Sequence, residues 1–189
     1  MNKPFAPDRL IGAAQASGPA RFTADEFLHM AGLGAFDDMK VELSRGEIVR
    51  MTPPNTLHAS LQAQLIGKIY VARDGAPGLV GDAGVRLSDE TVRAFDAAIV
   101  RADAGPGVLA PEHVLLAVEV ADASLDQDLG AKAREYGAAS LPPYWVVDAN
   151  ARVTHVMTGP GPEGYAKREV VRFGEPLGLP GGQGSITLD

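Results

Sequence analysis

The chain has 189 residues, 46% of them hydrophobic and 22% charged, the range of one soluble globular domain with room for a core of its own. Seventeen Lys and Arg against 24 Asp and Glu leave a net charge of −7, so no global positive field draws the chain onto nucleic acid and any polyanion contact must be local. The lack of cysteine excludes disulfide frameworks, thiol catalysis, Cys-ligated zinc and iron–sulfur clusters; without an apolar run of signal or spanning length, the expectation is a cytoplasmic protein with no membrane partner.

Residues 1–20, rich in Ala, Gly, Pro and Ser, read as a flexible N-terminal arm ahead of a single domain over 21–189. Thr23-Ala-Asp-Glu26 has capping-box spacing and predicts a short helix through about Ala31. Val41 to Leu43 and Glu47 to Met51 flank Ser44-Arg45-Gly46, a three-residue hairpin loop. Pro53-Pro54-Asn55 ends that strand. A helix then starts near Thr56 with His58, Leu61, Leu65, Ile69 and Ala72 on one stripe, ending before Gly75.

Three strands follow, Gly78 to Leu87, Val92 to Val100 and His113 to Ala121. The last is continuously apolar from Val114 to Val118, as in a central strand buried on both faces. A second helix over about Asp126 to Ala139 precedes Pro142-Pro143 and the strand Tyr144 to Asp148. Arg152 to Thr158 and Tyr165 to Phe173 bracket a Pro/Gly-rich turn and form a C-terminal hairpin, and Ile186 to Leu188 is a candidate edge strand. Hairpins, helices and strands in this order predict an α/β (α+β) fold, a mixed central sheet flanked by helices, rather than a simple βαβ array.

Period two places Glu119 with Leu115, Ala117 and Ala121 on one face of an otherwise apolar strand. A buried carboxylate without a cation, a metal or donors would lose its hydration or be forced neutral. Asp96 on the preceding strand shares a face with Ala94, Ala98 and Val100, opposite Phe95, Ala97 and Ile99. In register, the two acids would converge, a pairing tolerable mainly around a divalent cation, and all-oxygen ligands favour Mg²⁺ or Mn²⁺. Leu125, Leu129, Lys132 and Tyr136 form the buried stripe of the second helix, which puts Lys132 where Leu or Ala would be ordinary. Its stem could snorkel to solvent; held beside the acids, its ammonium could bind phosphate and stabilise developing charge.

In order and spacing, these residues resemble the Uma family of restriction-endonuclease-like proteins, a branch of the PD-(D/E)XK nuclease superfamily. The similarity runs from Phe22 to about Val156. It rests on Val41-Glu42-Leu43, Gly46 to Val49, Met51 to Pro54 with His58, Val85 to Ser88, Phe95-Asp96, Val118-Glu119-Val120, Asp128 with Lys132 and Tyr136, and Pro142 to Asp148. The resemblance implies a restriction endonuclease-like fold and a metal-dependent endonuclease acting on DNA. It makes Asp96 and Glu119, with the Val120 carbonyl, the metal ligands. It also makes Lys132 the migrated lysine, since the usual position two after the glutamate is Ala121; it matches Glu42 to the family's early glutamate, a further catalytic carboxylate for water positioning or a second metal, and His58 to its histidine, a candidate for substrate-phosphate contact or proton transfer. Phe95 stands where proline is common, and Asp122-Ala123-Ser124 where Ser-Pro-Ser is usual.

Blander readings stand beside these: Asp96 and Glu119 as strand-end acids, Glu42 as a solvent-facing hairpin residue, His58 as a core-edge histidine, Glu47 as an ion-pair partner of Arg45. Asp128, one turn before Lys132, would orient it. Tyr136 and Trp145 are assigned to packing rather than to the site. The rival function is a non-catalytic nucleic-acid- or protein-binding regulatory module that retains the nuclease fold, which the net charge of −7 favours. A homodimer formed through the strands after Tyr144 is a further expectation.

Overall fold

The first helix follows from its cap: the Glu26 amide donates to the Thr23 hydroxyl while the Glu26 carboxylate accepts from the Thr23 N–H, and α1 runs Ala24–Gly32. The computed structural model describes residues 18–189, so nearly all of the expected arm over 1–20 lies outside the described residues. β1 (Val41–Ser44) and β2 (Glu47–Arg50) form the expected hairpin, with a tighter turn. Ser44 pairs with Glu47, leaving only Arg45 and Gly46 in the turn, both at positive φ (51° and 80°), where the turn's twist matches that of its strands.

α2 (Thr56–Ala72) starts at Asn55, whose side chain accepts from the His58 N–H, and buries Leu61, Leu65 and Ile69 from the expected stripe. The strands β3 (Leu79–Ser88), β4 (Thr91–Val100), β5 (Val114–Ala121), β6 (Tyr144–Asp148), β7 (Val153–Gly161) and β8 (Gly164–Arg172) join β1 and β2 in one mixed sheet. Its order is β2-β1-β4-β5-β6-β7-β8, with β3 also paired to β4; β5 and β6 are parallel and the remaining pairs antiparallel. β5 is central, as its apolar run predicted. Leu116, Val118 and Val120 pack toward α2, and Ala117 and Ala121 pack with Tyr136 on the opposite face.

The expected helix over 126–139 is broken. Leu125–Gln127 (α3) and Ala133–Ala138 (α4) flank a π-helical turn, Asp128–Lys132, a feature that concentrates at functional sites. α4 lies on β7 and β8 so closely that a Cβ at Gly137 would overlap the Gly164 backbone. The C-terminal hairpin closes on two residues, Pro162 and Glu163, because both strands extend into the expected loop. The candidate last edge strand does not join the sheet. Ser185–Ile186 (β10) pairs with Leu177–Gly178 (β9) in a separate ribbon, since Ile186 and Leu188 find their apolar partners in the cluster beneath α2. No helix among the described residues is long and apolar enough to cross a membrane.

His155 on β7 is buried and receives Arg168 against Nδ1; burial and that positive charge hold its pKa below the ordinary histidine value. The unfolded chain therefore takes up this proton first, so stability contributed by neutral His155 is complete above the unfolded value of about 6.5 and is lost as pH falls below it. Urea unfolding of the wild type and His155→Gln is expected to show the wild type losing its advantage below that pH, by at most about 1.4 kcal/mol per unit. A pH-independent difference would contradict this.

Candidate active site

The site begins where β4 changes neighbours. Along the edge opposite β3, β4 pairs with β1 only at Val92, opposite Leu43, and with β5 only from Ala97, opposite Val118, onward. Between these points the ladder opens into a fork, and backbone groups left without a strand partner must find one elsewhere. Two side chains supply it: Glu42 Oε1 accepts from the Ala94 N–H (3.0 Å) and Asp96 Oδ2 from the Val120 N–H (2.7 Å). Asp96 and Glu119 are the next pair in the β4–β5 register, so the two acids predicted to converge stand on either side of the fork's apex.

Asp96 does not keep the expected face. Ala98 and Val100 pack with Tyr136 and Tyr144, whereas the Asp96 carboxylate meets His58 Nε2 of α2 at 3.1 Å. Phe95 takes the Tyr136 side instead, its ring 5.3 Å from that ring. The alternation slips where the ladder is interrupted; Asp82, opposite Asp96 on β3, has a left-handed φ of 50° and is skipped by the pairing. Burial acts to raise the Asp96 pKa, but the bonds from His58 and Val120 outweigh it and hold the carboxyl below its usual range.

Glu119 lies on the α4 side, as its strand phase predicted. Its Oε1 accepts from the Tyr136 hydroxyl at 2.7 Å and lies 3.0 Å from Lys132 Nζ, which in turn is 3.2 Å from Asp128 Oδ1. Lys132 is 4% exposed, so its stem does not snorkel. Burial would lower the lysine's pKa, but Glu119 and Asp128 more than offset this and keep it charged. Burial pushes Glu119 up to about 8, against the opposing pull of Lys132. Ser124, in the segment that replaces Ser-Pro-Ser, donates to Asp128 Oδ2 at 2.6 Å and so fixes the lysine's partner.

Glu42 is 3% exposed, which removes the solvent-facing reading, but both its oxygens are engaged: Oε2 accepts from Arg93 Nη1 at 2.9 Å and Oε1 from Ala94. Arg93 also binds Ser44 and Glu135, clamping β1, β4 and α4 together at the fork. Glu47 is exposed and pairs with Arg21 rather than Arg45, whose guanidinium lies 3.5 Å from Glu135.

Glu42, His58, Asp96, Glu119, Val120 and Lys132, all six residues singled out in the sequence, line one cleft of about 560 Å³. Sequence reasoning missed Arg93, whose signal was an arginine inside an apolar strand, and the contact of Tyr136 with Glu119. Among the described residues, no group of three or more His, Cys, Asp or Glu side chains forms a ready metal cage. The donors present are still suited to a hard cation. Asp96 Oδ1 and Glu119 Oε2 accept no hydrogen bond among the described residues. The Val120 carbonyl projects to the same edge as its N–H, into the fork. Two carboxylates and a carbonyl suffice for Mg²⁺, which keeps several of its waters.

The Uma2 family, described as "Putative restriction endonuclease", matches residues 24–189. Among solved structures, the chain is similar to a protein from Anabaena variabilis described as a putative nuclease belonging to DUF820. The identity is 16% and the TM-score 0.62, over 82% of this chain and 86% of that one, a likeness of fold. No curated protein matches the chain.

Proposed function

Because the chain belongs to the Uma2 family, we propose that it is a metal-dependent endonuclease that hydrolyses phosphodiester bonds of DNA at the fork between β4 and β5. The observation that carries this reading is the convergence on one cleft of Asp96 and Glu119 from adjacent strands and Lys132 from the π turn. Asp96, Glu119 and the Val120 carbonyl would hold Mg²⁺ or Mn²⁺, which supplies Lewis-acid polarisation of a phosphoryl oxygen and a more acidic water.

The chain's own groups do the remainder. His58 and the Val120 N–H fix one Asp96 oxygen and leave the other free of hydrogen bonds among the described residues, and His58, which lines the same cleft, would contact a substrate phosphate. Tyr136 does the same for Glu119. The Lys132 ammonium, held by Asp128, offsets charge that builds on the phosphoryl oxygens as water adds and the leaving oxygen departs. Glu42 is a positioning residue, keeping β1 on the open edge of β4 through Arg93 and Ala94.

With supercoiled plasmid and single-stranded DNA in Mn²⁺ or Mg²⁺, the wild type is expected to cleave DNA and Asp96→Asn to do so at least about 10²-fold more slowly, the scale of losing one preorganised electrostatic contact. Equal cleavage by both proteins would end the assignment. The second reading, a non-catalytic nucleic-acid- or protein-binding module, is favoured by the net charge of −7 and predicts no nicking by either protein. The proposal extends to a cytoplasmic homodimer; β8, last in the sheet order among the described residues, offers an edge on which a second copy can pair.

A further inference from the structure

We propose that the DNA taken into this cleft is an unpaired strand, single-stranded or frayed at an end, rather than continuous duplex. For cleavage this rests on the hydrolytic reading above; for binding it stands alone. A cleft of about 560 Å³ is the size of sites that enclose a small organic molecule, enough for a nucleotide or two of one strand. Apolar side chains line one stretch of its wall, from β2 and the segment leading to α2: Val49, Met51, Pro53 and Pro54, with Arg50 and Thr52 between them. Pro53 and Pro54 are exposed and Val49 is 37% exposed, so this apolar surface meets solvent beside the carboxylates. A duplex cannot use such a wall, because its base faces are stacked inside and only edges show in the grooves. Drawing a base out of the duplex carries a free-energy cost that an unpaired strand does not have. Bases of a single strand can lie on an apolar surface while the backbone tracks nearby cations.

The charges agree. Among the described residues, the cleft's lysines and arginines are Lys40, Arg50 and Lys132. Lys132 is committed to Glu119 and Asp128, which leaves two for phosphates flanking the reacting one. Lys40 pairs with Asp82 at 2.5 Å, but both are half-exposed, so a phosphate can take Asp82's place at little cost. Arg50 is exposed and makes no ion pair among the described residues. Two phosphate contacts on a single strand give a slope of log K against log salt of about −1.4. Duplex binders that neutralise roughly 6–10 phosphates fall far more steeply. On a chain of net charge −7, a footprint of two cations matches a short stretch of one strand.

The test uses a fluorescent DNA oligonucleotide, alone and annealed to its complement. In Mn²⁺ the single strand is expected to be cut at least tenfold faster than the same strand in duplex. Anisotropy without divalent cation is expected to show tighter binding of the single strand, with the shallow slope given above. Arg50→Ala is expected to reduce that slope by about 0.7, and Pro54→Asp to weaken single-strand binding about tenfold; both positions are exposed, so folding is not at stake. Duplex cut as fast as single strand, or bound as tightly with a steep salt slope, would overturn the inference and leave the nuclease reading standing. If neither substrate is cut, the nuclease reading fails and binding decides the inference; failure to bind either substrate also overturns it.

Discussion

Arg93→Met is expected to destabilise the protein by about 3–5 kcal/mol, the range for removing one partner from a buried ionic cluster. Arg93 is 2% exposed and answers Glu42, Glu135 and the Ser44 hydroxyl at 2.8–2.9 Å. Methionine fills similar space but leaves Glu42, itself 3% exposed, as a buried carboxylate whose one remaining donor among the described residues is the Ala94 N–H. The loss is a large share of the roughly 5–15 kcal/mol that holds a domain folded, and it falls on the contact that closes β1 onto the open edge of β4. Urea unfolding checks it. Glu42→Gln added to Arg93→Met should restore part of the stability, because the penalty comes from the uncompensated charge rather than from lost packing. A loss below about 1 kcal/mol would mean that the cluster is solvated and does not organise the fork.

Lys132→Met is expected to lower single-turnover cleavage by at least about 10²-fold while cation binding persists. The ammonium lies 3.0 Å from Glu119 and would supply none of the proposed ligand atoms, so on the reading above its removal would take away charge stabilisation from the reaction while the carboxylates and the Val120 carbonyl still line the cleft. Rate and Mn²⁺ affinity measured on the same preparation separate the two effects. Cleavage within threefold of the wild type would remove Lys132 from the chemistry, whereas loss of cation binding together with activity would make it a residue that merely holds Glu119.

What could be read in the sequence followed from local periodicity. The double burial of β5, the inward face of Glu119 and the stripe shared by Lys132 and Tyr136 need only strand or helix phase, and each is present. What depended on pairing between distant segments was not legible. That β4 would trade β1 for β5 midway is set by register across more than forty residues of sequence, and with it went the identity of the Glu42 partner and the slip that turns Asp96 toward His58. The π turn escaped for a related reason: a helical stripe over 125–136 reads the same whether or not the helix widens between Asp128 and Lys132. At the C-terminus, the apolar pair Ile186 and Leu188 reads as an edge strand until α2 is seen to cover it.

The most direct measurement is anomalous diffraction from crystals soaked in Mn²⁺. A single peak bonded to both Asp96 and Glu119, with Lys132 beside it, is the predicted result, and it should vanish in Asp96→Asn. A fork free of anomalous density at saturating Mn²⁺, with Asp96 still held by His58 and Glu119 by Lys132, would contradict it.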